Sequence, residues 1–72
     1  MKIISIATPF IKLGQLLKLA GVIDTGGQAK WFLADGKVRL NGQIEDRRGR
    51  KVYPGDLLEI EGYGQIKVEK AD

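Results

Sequence analysis

The chain reads as a single α+β domain, residues 1–72, with two helices packed on a small antiparallel sheet of three to five short strands. Three observations predict this. Two segments in the first half space their apolar residues at helical intervals, and a glycine follows each. The second half alternates apolar and polar residues around Asn-Gly and Pro-Gly turn signals. At 72 residues there is enough chain for one core, near the lower size at which a domain folds without staples.

In chain order, Ile4 and Ile6 alternate with Ser5 in a short first strand. A first helix can open at Thr8-Pro9, with Thr as N-cap and Pro in the first turn, or near Leu13. Either start puts Leu13, Leu16, Leu17 and Ala20 on one face, and Gly21 supplies the left-handed residue that ends the helix. Val22 and Ile23 return to the core. Thr25 and Gln28 form the two ends of a capping box for a second helix of about ten residues. Its inward stripe is Ala29, Phe32 and Leu33; Lys30 and Ala34 point outward, Trp31 sits at the margin, and Gly36 stops it.

Val38 and Leu40 flank Arg39 in a half-buried strand that runs into Asn41-Gly42, a strong two-residue hairpin signal. A strict hairpin pairs Arg39 with Ile44, which turns Ile44 away from the face of Val38 and Leu40. Either a bulge or an irregular second arm is therefore expected. Glu45 to Lys51 contains no apolar residue and reads as an exposed loop. Pro54-Gly55 occupies the centre of a type II turn, Leu58 and Ile60 alternate in the next strand, and Ile66 and Val68 in the last.

Composition narrows the chemistry. Without Cys or His there are no disulfides, no thiolate or imidazole metal ligands and no His base, so no metal or cofactor is expected. The N-terminal run IISIATPFI is too short and too interrupted for a membrane span, which leads us to expect a soluble cytoplasmic protein with no membrane partner. Formal charge is +2 over residues 1–29, +4 over 30–51 and −3 over 52–72. That distribution favours one side facing a polyanion and another repelling it.

The ordered set of helix, Gly-Val-Ile, helix, G-x-V-x-L-N-G, basic loop and P-G-D, from Lys12 to Ile60, resembles the S4 RNA-binding domain. More narrowly, LGQLLKLAGVIDTGGQAKWFLADGKVRLNG, then RRGRKVYPGD and G-Y-G, is similar to the small stand-alone bacterial S4 proteins of the YaaA type. The resemblance implies the S4-like fold, or αL motif, and an RNA-facing surface made by the second helix and the basic strand-loop region. It also moves the first helix start to Leu13, leaving Thr8 to Lys12 as a connector. Lys30, Lys37 and Arg39 match basic positions of the family, and Lys12 matches the one that opens the first helix. The chain departs from the family at Thr25 to Gln28, where Ser-Arg-Ser-Glu is common, and at Trp31, where Arg is frequent.

The strongest candidate site is Arg47, Arg48, Arg50 and Lys51, whose mutual repulsion an anion relieves and whose guanidinium groups suit phosphate. Glu45 and Asp46 offer the competing reading, internal neutralisation. Lys30, Lys37 and Arg39 join the set. Lys12 is a further candidate, as are the bare backbone N–H groups of Gly26 and Gly27 and the indole of Trp31, which either stacks on a base or covers the core edge. Tyr53 and Tyr63 read as packing residues. The expected function is non-catalytic binding of structured RNA, ribosomal or ribosome-precursor, by a chain monomeric when free; the alternative is a protein-interaction adaptor using the basic face. No small-molecule substrate is expected. Catalysis is not, because Asp24, Asp35 and Asp56 lack a partner base and TGGQAK lacks the Gly-Lys-Ser/Thr core of a phosphate loop. Removing charge at Arg47, Arg48 and Arg50 is expected to weaken binding without changing thermal unfolding.

Overall fold

The computed structural model describes residues 1–72. Strand β1 (Lys2–Ile6) is followed by a two-residue strand, β2 (Ile11–Lys12), and by helices α1 (Leu13–Leu19) and α2 (Gly26–Ala34). Five strands complete the chain: β3 (Val38–Leu40), β4 (Gln43–Ile44), β5 (Lys51–Val52), β6 (Leu57–Ile60) and β7 (Gly64–Lys70). Helix α1 starts at Leu13 as expected, but the connector before it is not irregular throughout, because β2 pairs with β5 in a separate two-stranded ribbon.

The main sheet has five strands in the order β1-β7-β6-β3-β4. It is mixed and not antiparallel, since β1 runs parallel to β7 from Lys2↔Ile66 to Ile6↔Lys70. Strand β7 lies between two neighbours, pairing with β6 from Gly64 to Lys67 on one edge and with β1 from Ile66 to Lys70 on the other. Each strand turns alternate residues toward the helices. Ile4, Ile6, Val38, Leu40, Leu58, Ile60, Ile66 and Val68 meet Leu13, Leu16, Leu17, Ala29 and Leu33 in one core. The other sheet face, carrying Ile3, Ser5, Arg39 and Ile44, has no layer over it.

Local signals behave as their chemistry requires. The Gln28 side-chain oxygen accepts the backbone N–H of Thr25 at 3.1 Å and also that of Asp24, which closes the entry to α2. At the hairpin, Asn41 (φ 51°) and Gly42 (φ 86°) both take the positive φ of a type I′ turn. No bulge intervenes: Leu40 pairs with Gln43 and Arg39 with Ile44, so Ile44 lies on the outer face, 58% exposed. The ladder extends one residue further, the Glu45 N–H donating to the Val38 carbonyl at 3.0 Å. That step turns Glu45 inward. The second arm is thus regular, with the apolar residue outside and the acid inside.

Two turns distant in sequence are tied together by side chains. Asn41 Oδ1 accepts the Leu57 N–H at 2.9 Å, while Asn41 Nδ2 donates to Asp56 Oδ1 at 3.1 Å. Asp56 Oδ2 in turn accepts the Tyr53 N–H at 2.8 Å across the Pro54-Gly55 turn. Asn41 therefore serves both as a residue that tolerates the left-handed conformation and as a clamp on the Pro-Gly-Asp segment. We predict that Asn41→Ala costs about 3–4 kcal/mol, two hydrogen bonds of about 1 kcal/mol each plus a left-handed penalty on Ala of about 1–2 kcal/mol. Asn41→Gly should cost less, because only the hydrogen bonds are lost. Urea denaturation measures both, and an Asn41→Ala change within about 0.5 kcal/mol of the parent would contradict the clamp.

Candidate nucleic-acid interface

Glu45 is the only buried charged residue, 8% exposed. A carboxylate placed there needs donors, and residues 46–50 supply them. Glu45 Oε2 accepts the backbone N–H groups of Asp46 and Arg47 and the Arg47 Nε, at 3.1–3.2 Å. Oε1 accepts Arg47 Nη2 at 3.1 Å and Arg50 Nη1 at 3.3 Å. The Arg47 side-chain hydrogen bonds, helped by its backbone N–H and by the charges of Arg47 and Arg50, hold the Glu45 carboxyl below its ordinary pKa against the opposing effect of burial. The same contact raises the pKa of Arg47. What reads in sequence as an exposed loop is thus folded around a buried acid.

The loop is also docked on α1. Lys12, the residue before the helix, makes no side-chain cap, and the first helical N–H groups are satisfied by loop carbonyls. Leu13 N–H donates to Arg50 O at 2.8 Å and Gly14 N–H to Arg48 O at 2.9 Å. The approach is close at Gly14, where a Cβ would sit 3.4 Å from Arg48 Cβ and 3.7 Å from Ala29 Cβ. Gly14 thus brings α1, α2 and the loop to one point, and Lys30 is the next residue along α2 from that point.

Beside the docked loop runs the β2–β5 ribbon, with Ile11↔Val52 and Lys12↔Lys51 as opposite pairs. Ile11 and Val52 face the core, so Lys12 and Lys51 project together on the outer side. Like charges directly opposite are unfavourable, and no carboxylate pairs with either lysine. Arg48 and Lys30 also lack an acidic partner.

The structure therefore gathers Lys12, Arg47, Arg48, Arg50 and Lys51 around the start of α1, with Lys30 adjoining. It places Lys37 and Arg39 elsewhere. Lys37 lies at the α2–β3 junction, its Nζ 5.6 Å from the Phe32 ring and 3.9 Å from Asp35. Arg39 stands on the open sheet face, directly opposite Glu59. Gly26 and Gly27 open α2 and are exposed. Trp31 is 72% exposed on α2, so it does not cover the core edge, and Lys30 Nζ lies 5.9 Å from its ring. Two features go beyond the sequence reading: Glu45, expected with Asp46 only to neutralise arginines, is buried and organises the loop through Arg47 and Arg50 while Asp46 forms no ion pair, and the ribbon sets Lys12 beside Lys51. Continuing the hairpin register one residue past Ile44 would have found the first.

A family model described as S4 domain matches residues 4–69. The probable ribosome maturation protein RlbA of Bacillus subtilis is 57% identical over 65 residues, covering 90% of this chain and 92% of that protein. The putative RNA-binding protein YbcJ of Escherichia coli is 36% identical over 55 residues, 76% of this chain and 79% of that one. The solution structure of YbcJ, described as revealing an αL motif involved in RNA-binding, superposes with a TM-score of 0.72 at 33% identity. It covers 96% of this chain and 87% of that one.

The buried acid makes a pH-dependent prediction. Because folding lowers the Glu45 pKa, its stabilisation is fully present above the carboxyl's unfolded value and is lost as pH falls through the folded one. Glu45→Gln should destabilise the neutral protein by about 1–2 kcal/mol, the lower range for charged hydrogen bonds because the guanidinium heads face water. The gap between parent and variant should close as pH falls below the ordinary carboxylate range. Urea titrations across that range measure it; a gap that stays constant with pH would show that the carboxylate charge is not the source.

Proposed function

The chain belongs to the S4 domain family, and we propose that it is a non-catalytic RNA-binding module whose contact surface is the basic cluster around the start of α1. The observation that carries this reading is the Lys12–Lys51 pair, two opposite like charges with no acid beside them. Such a pair costs the free protein some stability, and a phosphate between the two lysines reverses the sign of that interaction. Arg48 extends the surface. Its backbone is fixed by the Gly14 hydrogen bond while its guanidinium has no internal acid. Arg47 and Arg50 are held on Glu45 and present their remaining N–H groups outward, pre-oriented for phosphate oxygens.

The RNA we propose is structured, ribosomal or a ribosome precursor, bound by a monomer. The name of the Bacillus subtilis relative supports the ribosomal assignment, and the shape of a cluster spread over a helix start, a loop and a ribbon suits backbone contacts more than base reading. No helix is long and apolar enough to cross a membrane.

Binding to a folded fragment of ribosomal RNA, measured by anisotropy at rising salt, tests the proposal. The triple variant Lys12→Gln, Arg48→Gln, Lys51→Gln should lower the slope of log affinity against log salt by roughly 0.7–0.9 for each phosphate contact removed. Its thermal midpoint should match or slightly exceed that of the parent, since repulsion is relieved. By contrast, changing Arg47 and Arg50 strips Glu45 of donors and should lower stability as well as binding. An unchanged salt slope in the triple variant would contradict the surface.

A further inference from the structure

The β2–β5 ribbon carries more than the lysine pair. Extending its register outward by one residue places Phe10 opposite Tyr53, on the same outer side as Lys12 and Lys51 because side chains alternate along a strand. The contacts agree with that placement: the Phe10 and Tyr53 rings lie 6.0 Å apart between centroids, and Lys51 Nζ sits 4.8 Å from the centre of the Phe10 ring. Phe10 is half-buried and forms the floor, whereas Tyr53 is 48% exposed. One small surface thus holds an accessible aromatic face next to two unpaired ammonium groups.

This combination has a chemical counterpart. A single nucleotide joins a flat π-surface to a phosphate about one base-width away, and proteins that hold unpaired nucleotides combine aromatic stacking with a cationic backbone track. A base inside a duplex has no free face to offer. We propose, resting on the RNA-binding reading above, that the outer side of the β2–β5 ribbon is a subsite for one unpaired nucleotide, its base stacked on Tyr53 and its phosphate between Lys12 and Lys51. Tyr53 then selects RNA with a bulged or looped-out nucleotide beside a helix, while Arg47, Arg48 and Arg50 hold the flanking backbone without regard to pairing.

The test compares two RNA hairpins of identical stem, one with a single bulged uridine and one fully paired, against the parent, Tyr53→Leu and Tyr53→Phe. The parent should favour the bulged hairpin. Tyr53→Leu should weaken binding of the bulged hairpin by roughly 5- to 100-fold and leave the paired hairpin unchanged, while Tyr53→Phe keeps the preference. The unchanged paired affinity doubles as proof that the leucine variant is folded; should it fall, Tyr53→Gln replaces it in the same comparison. The inference is overturned if the parent binds both hairpins equally, if Tyr53→Leu retains the preference, or if Tyr53→Phe loses it as fully as Tyr53→Leu. A parent that binds neither hairpin at low salt instead overturns the RNA-binding reading itself.

Discussion

The buried carboxylate of Glu45 is the constraint from which the shape of the basic loop and its docking on α1 follow. A two-residue turn at Asn41-Gly42 leaves no choice of register, so the residue after Ile44 must face inward beside Val38. An ion in that position is tolerated only if its oxygens are saturated. Arg47 and Arg50, with two backbone N–H groups, saturate them, and the chain between must curl to bring those donors round. The curl is what delivers the carbonyls of Arg48 and Arg50 to the uncapped start of α1. One acid therefore shapes the loop, and the loop caps the helix.

This arrangement explains how a segment with no apolar residue holds a defined shape in so small a domain. Its entrance is fixed by the hairpin, its middle by Glu45 and α1, and its exit by the pairing of β5 with β2. The Asn41–Asp56 contact then locks the hairpin turn to the Pro-Gly-Asp turn beyond the ribbon. Arginines presented from such a frame lose little freedom on meeting a phosphate, because the ordering cost was met when the domain folded. Of the acidic residues of the last third, Glu59 and Glu61 lie on and around the open sheet face near Arg39, whereas Asp56 stands at the ribbon end, taken up by Asn41 and by the Tyr53 N–H.

Much of the fold was legible because its signals are local. The Thr25–Gln28 cap, the left-handed glycines and the turn at Asn41-Gly42 depend on residues within four positions of one another, whereas the start of α1, capped by the distant carbonyls of Arg48 and Arg50, was chosen by the family resemblance. Pairings between distant segments left no such trace. The parallel contact of β1 with β7 joins the two ends of the chain, and β2 and β5 are too short to show alternation. Of the candidate site, the loop arginines stood out by charge density and Lys12 by its family match, but that Lys12 stands beside Lys51 follows only from the ribbon. Ile44 misled because an apolar residue was expected inside and an acid outside; the arginines that reverse this preference lie two to five residues past the acid, and the expected internal neutralisation is met by Glu45 with Arg47 and Arg50. Trp31 misled in the same sense, being exposed where a core edge was the ordinary expectation. Lys37 and Arg39 match family positions, yet they stand apart from the loop cluster.

We propose that RNA meets the molecule at the start of α1, the loop and the ribbon, and not at the open face of the sheet. Amide chemical-shift mapping during titration with a folded ribosomal RNA fragment addresses this directly. The changes should concentrate at residues 10–14, 30 and 47–53, with the amides of Arg39, Ile44, Glu59 and Gln65 little altered. Changes concentrated on those four, with the loop and ribbon silent, would contradict it.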